Sequence, residues 1–398
     1  MGFPICNSTL IQQTIIEDPL FSKVTVHHVL LAISLLTMFI AVITSLCSIF
    51  AHCGRYSKSG EQKQIIRILF MVPLYAVASF LSALYYKQFA YFQIIGDTYA
   101  AIAITSFFTL LCHYVGGTSE DQEAFFRDLV PGGWALYIFG FSIPLPVHWV
   151  CGKNMTKPSG SRWFKVVSYG VYQYAVVRIL MAIVSVITQA TDRYCPGSSS
   201  PAFAHLWVNL DHQYLARTDI FNALSATIAQ FFLDRFFHET CDQFPDHRPT
   251  FKFWCVKSIL IFSQYQTLIV TLLLHFSILR GSYKMSYGDI TAIPACLLCI
   301  ELAVISILHL YAFSSKSYKP PLGRPGIRMF VTAVIDTLNP SDILEAMIRG
   351  RKWKAIPIQS DAEYAPKTEL GDEEMRDVDE RTANHVQLTE CYQPESRH

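Results

Sequence analysis

The sequence alternates long apolar runs with short polar segments. Residues 290–313 are the clearest run, with a single formal charge, Glu301, in 24 residues. A helix rises 1.5 Å per residue, so about 20 apolar residues cross the roughly 30 Å hydrocarbon layer of a bilayer. The pattern predicts an all-α polytopic membrane protein. Its seven-transmembrane-helix bundle comprises residues 24–51, 65–86, 98–115, 166–190, 217–237, 253–279 and 290–313.

Residues 134–150 are also apolar, but we interpret them as a segment that lies in the membrane interface. The stretch is short for a span and carries Pro144 and Pro146. The fifth predicted helix has the weakest pattern, because only 14 uncharged residues separate Asp219 from Asp234.

The positive charges of the loops predict the orientation. With the N-terminus outside, the inner loops and the segment after the last helix hold fourteen Lys and Arg residues, and the outer segments hold six. Basic loops stay on the cytosolic side, so we expect an outer N-terminus and a cytosolic C-terminus. If residues 134–150 were a span, four of the basic residues would lie on the outer side. This also favours the interfacial interpretation. Two glycosylation sequons follow this topology: Asn7 on the outer tail is a candidate, whereas Asn154 on the inner side should stay unmodified.

The segments outside the bundle have different compositions. Residues 1–23 form an extracellular or lumenal tail, and residues 355–398 are polar and acidic, which predicts a disordered cytosolic tail. Residues 314–354 are juxtamembrane and read as amphipathic helices split at Asn339-Pro340. Such helices dock either on the membrane surface or against the inner loops, and the sequence leaves both open.

Composition removes several classes of function. Hydrophobic residues make up 52% of the chain and charged residues 16%, with a net charge of +1, which argues against a nucleic-acid surface. The sequence has no HExxH or H-x-x-x-H spacing, no G-x-S-x-G elbow and no phosphate-binding glycine loop, so we expect no enzyme and no cofactor. Three of the eleven cysteines, Cys53, Cys151 and Cys241, fall at the predicted inner boundary, where S-acylation occurs.

Two charged residues are predicted to lie near the middle of the membrane. Arg178 and Glu301 each lie about 12 residues into their helices, which places both roughly 18 Å deep. A charge at that depth costs free energy unless it is paired, and charged residues in such positions often have a function. We expect the two to pair. The pair either joins two helices structurally or forms a solute site in which Arg178 binds an anion and Glu301 tunes its release.

Further polar residues line the fourth and sixth predicted helices. Gln173 lies one and a half turns before Arg178, and Lys257, Gln264 and Thr271 recur at seven-residue intervals on one face of helix six. Such residues either bond to neighbouring helices or line a watery path. We include Gln173, Lys257 and Gln264 in the candidate substrate site, although Lys257, like Arg67, lies one turn from the inner surface, where lysine and arginine side chains often snorkel.

Five stretches of the sequence carry a family resemblance. They are EQKQIIRILFMVPLYA, SFFTLLCHYVGG, YQYAVVRI, FKFWCVKSILIFSQYQ and CIELAVISILHLYAF, and they occur in order within residues 24–345. With them the chain resembles the organic solute transporter alpha-subunit-like family. The resemblance implies a seven-helix bundle with an outer N-terminus, facilitated movement of amphipathic organic anions such as sterol conjugates, and a small single-span beta subunit. Arg178 stands where lysine is expected in many relatives, which keeps the charge but changes the geometry of anion binding.

The sequence therefore predicts a facilitative transporter-like protein for amphipathic organic solutes, in the plasma membrane or an endosomal or vacuolar membrane. Its expected partners are membrane lipids, an amphipathic small-molecule solute, and either further copies of itself or a small single-span subunit. The alternative is a seven-helix receptor or scaffold that affects membrane traffic or signalling through its cytosolic segments.

Overall fold

The computed structural model describes residues 19, 24–130, 135–138, 141–144, 160–191, 220–243, 248–275, 287–318, 327–339, 341–343 and 345. Within these ranges the chain forms nine α-helices and one pair of short strands. The helices are α1 (Val26–Cys53), α2 (Ser59–Leu84), α3 (Phe89–Val115), α4 (Ser119–Asp128), α5 (Gly160–Ala190), α6 (Ile220–Thr240), α7 (Pro249–His275), α8 (Tyr287–Ala312) and α9 (Ile327–Leu338). The strands β1 (Ala135–Ile138) and β2 (Phe141–Pro144) pair antiparallel within the segment predicted to be interfacial.

Five helices in the described part of the chain, namely α1, α2, α3, α5 and α8, are long and apolar enough to cross a membrane. The fold is therefore that of an α-helical, multi-pass membrane protein. The fifth and sixth predicted spans fall on α6 and α7, which have 21 and 27 residues and are not among those five.

Five of the helices, α2, α3, α5, α7 and α8, begin earlier than the hydropathy pattern predicts. The helix α2 begins at Ser59, six residues before the predicted span, and α3 begins at Phe89, nine residues before its predicted span. Hydropathy marks only the apolar part of a helix, whereas backbone hydrogen bonding continues through polar turns such as those around Glu61 and Gln93. The early start of α3 places Asp97 inside the helix, two turns from its beginning.

The helices pack in two connected groups. The first group is formed by α1, α2, α3 and α8, with the most extensive contacts between α1 and α8 and between α2 and α3. The second is formed by α5 and α6, which pack along each other and reach the first group mainly through α3. Aromatic contacts of Phe108 on α3 join the groups: its ring meets the Phe236 ring of α6 edge to face with centroids 4.8 Å apart, and it stacks on the Phe164 ring of α5 with centroids 6.1 Å apart.

Most of α1 lies on the outside of the bundle. Its most apolar window is only 22% buried, and large apolar side chains such as Leu36, Phe39 and Ile43 are exposed along it. A helix with this much exposed apolar surface is stable where the surrounding solvent is hydrocarbon. The outer face of α1 is therefore lipid-facing.

Candidate solute site

The buried arginine of α5 pairs with an aspartate that hydropathy placed outside the membrane helices. The Arg178 guanidinium donates to Asp97 Oδ2, and both side chains are largely buried. The other carboxylate oxygen, Asp97 Oδ1, accepts a 2.6 Å hydrogen bond from the Tyr75 hydroxyl. These contacts join α2, α3 and α5 around one carboxylate.

The predicted Arg178–Glu301 pair is therefore wrong. Equal depth in the membrane does not place two residues together, because each helix also has a rotational position about its axis. Glu301 lies on α8 beside the exposed Ile300, and its Oε2 atom is buried without a hydrogen-bond partner among the described residues.

A cavity of about 70 Å³ adjoins the Asp97 carboxylate. It lies between the second half of α2, the first half of α3, the second half of α7 and the first half of α8. Its polar lining consists of Ser79, Ser82, Gln93, Asp97, Ser263 and Gln266, and its apolar lining includes Phe89, Pro294 and Leu298. The lining is thus polar on one part and apolar on the rest.

Gln266 supplies a hydrogen-bond acceptor at this cavity that nothing in the described chain satisfies. Its Nε2 donates a 3.1 Å hydrogen bond to the Pro294 carbonyl, which fixes the orientation of the amide. Its buried Oε1 has no hydrogen-bond partner within the described ranges. A buried acceptor without a partner costs about 1–3 kcal/mol, so a donor from water or a solute is favoured here.

Lys257 does not snorkel to the surface, and it does not reach the cavity. Its Nζ lies 2.7 Å from both carboxylate oxygens of Asp234 on α6 and 5.2 Å from the centroid of the Phe253 ring. This contact neutralises both charges and joins α6 to α7. Lys257 is thus a structural cation in this conformation rather than a side chain open to solute.

Gln173 also joins two helices. Its Nε2 donates to the Ser225 carbonyl at 2.8 Å, and its Oε1 accepts from the Ser225 hydroxyl at 2.7 Å. The reciprocal bonds hold α5 against α6. The side chain of Gln264 lies outside the described part of the structure, so its predicted place in a polar seam stays a prediction.

A second polar cluster lies at the other end of α2, where Arg67 is almost fully buried. Its guanidinium forms a bidentate pair with Asp342, at 2.8 and 2.9 Å, and Nε donates to the Thr337 carbonyl at 2.8 Å. A further amino hydrogen reaches the Asn339 carbonyl at 2.5 Å. The prediction that Arg67 snorkels is therefore wrong, because its side chain binds the C-terminal end of α9. We call these contacts the Arg67 clamp.

The charge of Asp342 is stabilised inside the Arg67 clamp. Burial on its own raises the pKa of this carboxyl, but the hydrogen bonds and charge of Arg67 lower it, as do the charge of Lys63 and a 2.6 Å hydrogen bond from Gln64. The net result is a pKa of about 2. Asp342 is therefore ionised at every physiological pH, and the ion pair of the clamp is present there.

The predicted modification sites differ in accessibility. Cys53 is fully buried against the core, so an acyl chain cannot reach its thiol in this conformation, and the prediction for this residue is corrected. Cys241 is half-buried, with Sγ 3.6 Å from Asp242 Oδ1, and remains a candidate. Cys151, Asn7 and Asn154 lie outside the described residues.

Asp97, Tyr75 and Asp342 were missed as site residues. Asp97 directly precedes the predicted start of its span, and reading helix propensity upstream to Phe89 would have included it. Tyr75 carries no sequence signal, because aromatic residues are common in apolar helices. Within the described ranges, no group of three or more His, Cys, Asp and Glu residues is placed to hold a metal ion.

Comparisons with known proteins extend over most of the bundle. The family description Organic solute transporter Ostalpha matches residues 30–318. A transmembrane protein 184 homolog of Dictyostelium discoideum is 31% identical over 308 residues, which is 76% of this chain and 54% of that protein.

Two Arabidopsis thaliana proteins are similar as well. Protein LAZ1 homolog 1 is 28% identical over 70% of this chain and 56% of its own length, and Protein LAZ1 is 27% identical over 69% and 55%. The chain thus spans about half the length of these relatives. No solved structure matches.

Proposed function

Because the chain belongs to the organic solute transporter Ostalpha family, we propose that it is a facilitative transporter-like protein that moves amphipathic organic solutes across a membrane. The family is of the transporter type and not an enzyme family. We assign the solute site to the Asp97 cavity, which we define as the cavity between α2, α3, α7 and α8 together with Tyr75 and Arg178.

The observation that carries this proposal is the mixed lining of the Asp97 cavity. One part presents a carboxylate, hydroxyls and the unsatisfied Gln266 acceptor, and another part presents Phe89, Pro294 and Leu298. Binding pockets that combine a mostly apolar wall with a few polar groups suit molecules with the same division. An amphipathic solute fits that description better than an inorganic ion or a wholly apolar lipid.

The size of the cavity indicates a closed state. A cavity needs about 10–15 Å³ per water, so about 70 Å³ accommodates a few waters and no sterol-sized molecule. Transport therefore requires the lining helices to separate. Among the described residues, α7 packs chiefly on α8 and only slightly on α3, and we propose that a displacement of α7 widens the cavity.

The pairing of Arg178 defines how an anionic solute would bind. The guanidinium is already neutralised by Asp97, so an anion such as a sterol sulfate must replace that carboxylate at Arg178. Tyr75 donates to the other oxygen of Asp97 and can hold the displaced carboxylate. Exchange of partners keeps the buried charges compensated throughout, which limits the desolvation cost.

Flux through proteoliposomes tests this proposal. Labelled steroid sulfates and bile-acid-like anions are compared with a neutral steroid alcohol for the wild type, Arg178→Ala, Arg178→Lys and Glu301→Gln. We expect saturable anion uptake that is lost in Arg178→Ala and partly kept in Arg178→Lys. Arg127→Ala, which changes an exposed arginine of α4, is the matched control and should keep full uptake. Saturable uptake that persists in Arg178→Ala would contradict the assigned site.

Other parts of the proposal follow from the sequence. We infer seven spans with an outer N-terminus, a location in the plasma membrane or an endosomal or vacuolar membrane, and no catalytic activity. A small single-span subunit or a second copy of the chain is the expected protein partner. If wild-type flux is absent, adding such a subunit is the next arm of the experiment.

A receptor or scaffold is the second candidate function, and the Arg67 clamp favours it. A buried ion pair that fixes the segment after the last span gives the cytosolic side a defined shape on which another protein could act. A cellular phenotype that survives loss of Arg178 and Glu301 but requires residues 326–398 would favour this function over transport.

A further inference from the structure

The helix α9 has one face on the bundle and one face open. Met329, Phe330 and Ala333 pack against the core, and Ala333 is fully buried. The opposite face carries five exposed apolar side chains, at helical spacing: Ile327, Val331, Val334, Ile335 and Leu338. We call these five side chains the α9 apolar face.

The α9 apolar face cannot turn inward while the Arg67 clamp is formed. Arg67 holds the carbonyls of Thr337 and Asn339 at the C-terminal end of α9. Nearer the middle of α9, the Phe330 ring stacks on Phe50 of α1 with centroids 5.6 Å apart. Two attachments on the same side of a 12-residue helix fix its rotation about its own axis.

The face continues the lipid-facing surface of α1. Phe50, which is exposed, lies at the end of the row of exposed apolar residues that runs along α1 from Ile33 through Leu36 and Ile43. Because Phe50 contacts Phe330, α9 begins where the hydrocarbon-facing part of α1 ends. An apolar helix face at that level meets the boundary between acyl chains and headgroups.

Basic residues near α9 also suit a position at the boundary between acyl chains and headgroups. Lys316, 11 residues before α9, is exposed. The sequence places Lys319, Arg324 and Arg328 between it and the first turn of α9. Basic residues beside an interfacial helix are attracted to lipid phosphates, by about 1 kcal/mol each near an anionic surface. The sequence left open whether this segment docks on the membrane or on the inner loops.

We propose that the α9 apolar face binds the surface of the membrane leaflet on the cytosolic side, with its five side chains among the upper acyl chains of phospholipids. The inner face of the same helix packs on α1 and α2. The proposal requires only that the chain is inserted in a bilayer, and it stands whether or not the protein transports a solute.

Photo-crosslinking to phospholipid tests the α9 apolar face. The full chain, with a benzophenone amino acid in place of Ile335, is reconstituted in nanodiscs of alkyne-tagged phosphatidylcholine and phosphatidylserine. Thr332, which is exposed but lies off the apolar face, is the matched control position, and Leu36 on α1 is the lipid-facing reference. We expect the lipid adduct at position 335 to approach that at position 36 and to exceed that at position 332 at least fivefold.

Two results would overturn the proposal. Equal lipid adducts at positions 335 and 332, with a strong adduct at position 36, would show that α9 stands clear of the membrane. A protein adduct in place of a lipid adduct at position 335 would identify another segment or a second copy of the chain as the occupant. If the benzophenone variant does not fold, Ile335→Trp and Thr332→Trp are compared by quenching with brominated lipid, and stronger quenching for Ile335→Trp alone supports the proposal.

Discussion

Arg178 places a positive charge and Asp97 a negative charge inside the bundle. The stability of the folded protein depends on keeping both charges. Removing one partner of a buried pair leaves an uncompensated charge and costs about 3–5 kcal/mol, whereas removing both together costs much less. We therefore expect Arg178→Gln or Asp97→Asn alone to lower the melting temperature of the detergent-solubilised protein strongly, and the double variant to recover most of the loss.

The same three variants separate structure from solute binding. If Arg178 binds solute, the double variant regains stability but still lacks anion flux. Recovery of flux together with stability would show that the pair is only structural. Losses of melting temperature that add up in the double variant would contradict the pairing itself.

Gly170 on α5 lies against the Phe232 ring of α6 with no room for a side chain. A Cβ atom at this position would lie 1.9 Å from Cδ2 of the Phe232 ring, which no side chain tolerates without movement. Alanine gains up to about 1 kcal/mol over glycine in an isolated helix, yet overpacking costs about 1–3 kcal/mol, so we expect a net loss of stability for Gly170→Ala.

Thermal unfolding followed by size-exclusion fluorescence measures this loss. Phe232→Leu should rescue Gly170→Ala by removing the ring, and Gly117→Ala, which meets no atom within 4 Å, is the control. A Gly170→Ala protein as stable as the wild type would show that α5 and α6 are packed less closely than described.

At the residue scale the sequence predicted that Arg178 is buried but not which atoms it meets, and it missed the burial of Asp97 and Arg67. Hydropathy gives the depth of Arg178 and Glu301 along their helices, and both depths are similar. It does not give the rotation of each helix, and rotation decides that Arg178 faces Asp97 while Glu301 lies beside Ile300. Asp97 was not predicted as a site residue, because a count of apolar runs assigns the polar residues at the start of α3 to a loop.

Among the elements, α2 and α9 are joined by a contact whose strength depends on pH. The pKa of Asp342 falls from an ordinary value of 3.8 to about 2 in the folded protein, which corresponds to on the order of 2 kcal/mol of stabilisation by the Arg67 clamp. A lowered carboxyl pKa stabilises the folded state fully above about pH 4, and the stabilisation is lost as the pH falls towards 2.

Limited digestion with pepsin between pH 2 and pH 5 measures the clamp. Asp342→Asn cannot form the ion pair, so we expect cleavage around residues 327–345 to be faster than in the wild type at pH 5 and equal to it near pH 2. Glu120→Gln on the exposed first turn of α4 is the control and should follow the wild type at every pH. A constant ratio of cleavage rates between Asp342→Asn and wild type across this range would contradict the clamp.

The sequence located helices well and their ends less well. Each of the seven predicted spans overlaps a helix, because an apolar segment in hydrocarbon must satisfy its backbone internally. The apolar segment 134–150 instead contains the strand pair of β1 and β2. The helices begin earlier than predicted where polar turns continue them, as at Ser59 and Phe89. The Arg67 clamp could not be predicted, since it joins residues about 275 positions apart in the sequence.

For the whole molecule, the question is whether α6 and α7 cross the membrane. Four of their five Asp, Glu, Lys and Arg residues pair within the two helices: Asp234 binds Lys257, and Arg235 binds Glu239. The fifth, Lys252, donates a 2.7 Å hydrogen bond to the Tyr114 hydroxyl of α3. Compensated charges reduce the cost of insertion that otherwise excludes such residues from hydrocarbon. In addition, α6 packs along α5 and α7 along α8, and both of these neighbours are apolar enough to span. We therefore expect seven spans rather than five.

Five and seven spans both place the chain termini on opposite sides, so only the segment between α6 and α7 distinguishes them. With seven spans this segment is cytosolic, and with five it is outside together with residues 192–219 and 276–286. An Asn-Ser-Thr cassette with flexible flanks is inserted after Pro245, and Ser198→Asn creates a sequon in the segment after α5, which is outside in both topologies. We expect glycosylation at position 198 and at Asn7 and none at the cassette or at Asn154, measured as a glycosidase-sensitive mass shift. A modified cassette would favour five spans, and a modified Asn154 would invert the predicted orientation, because sugar is added only on the lumenal side.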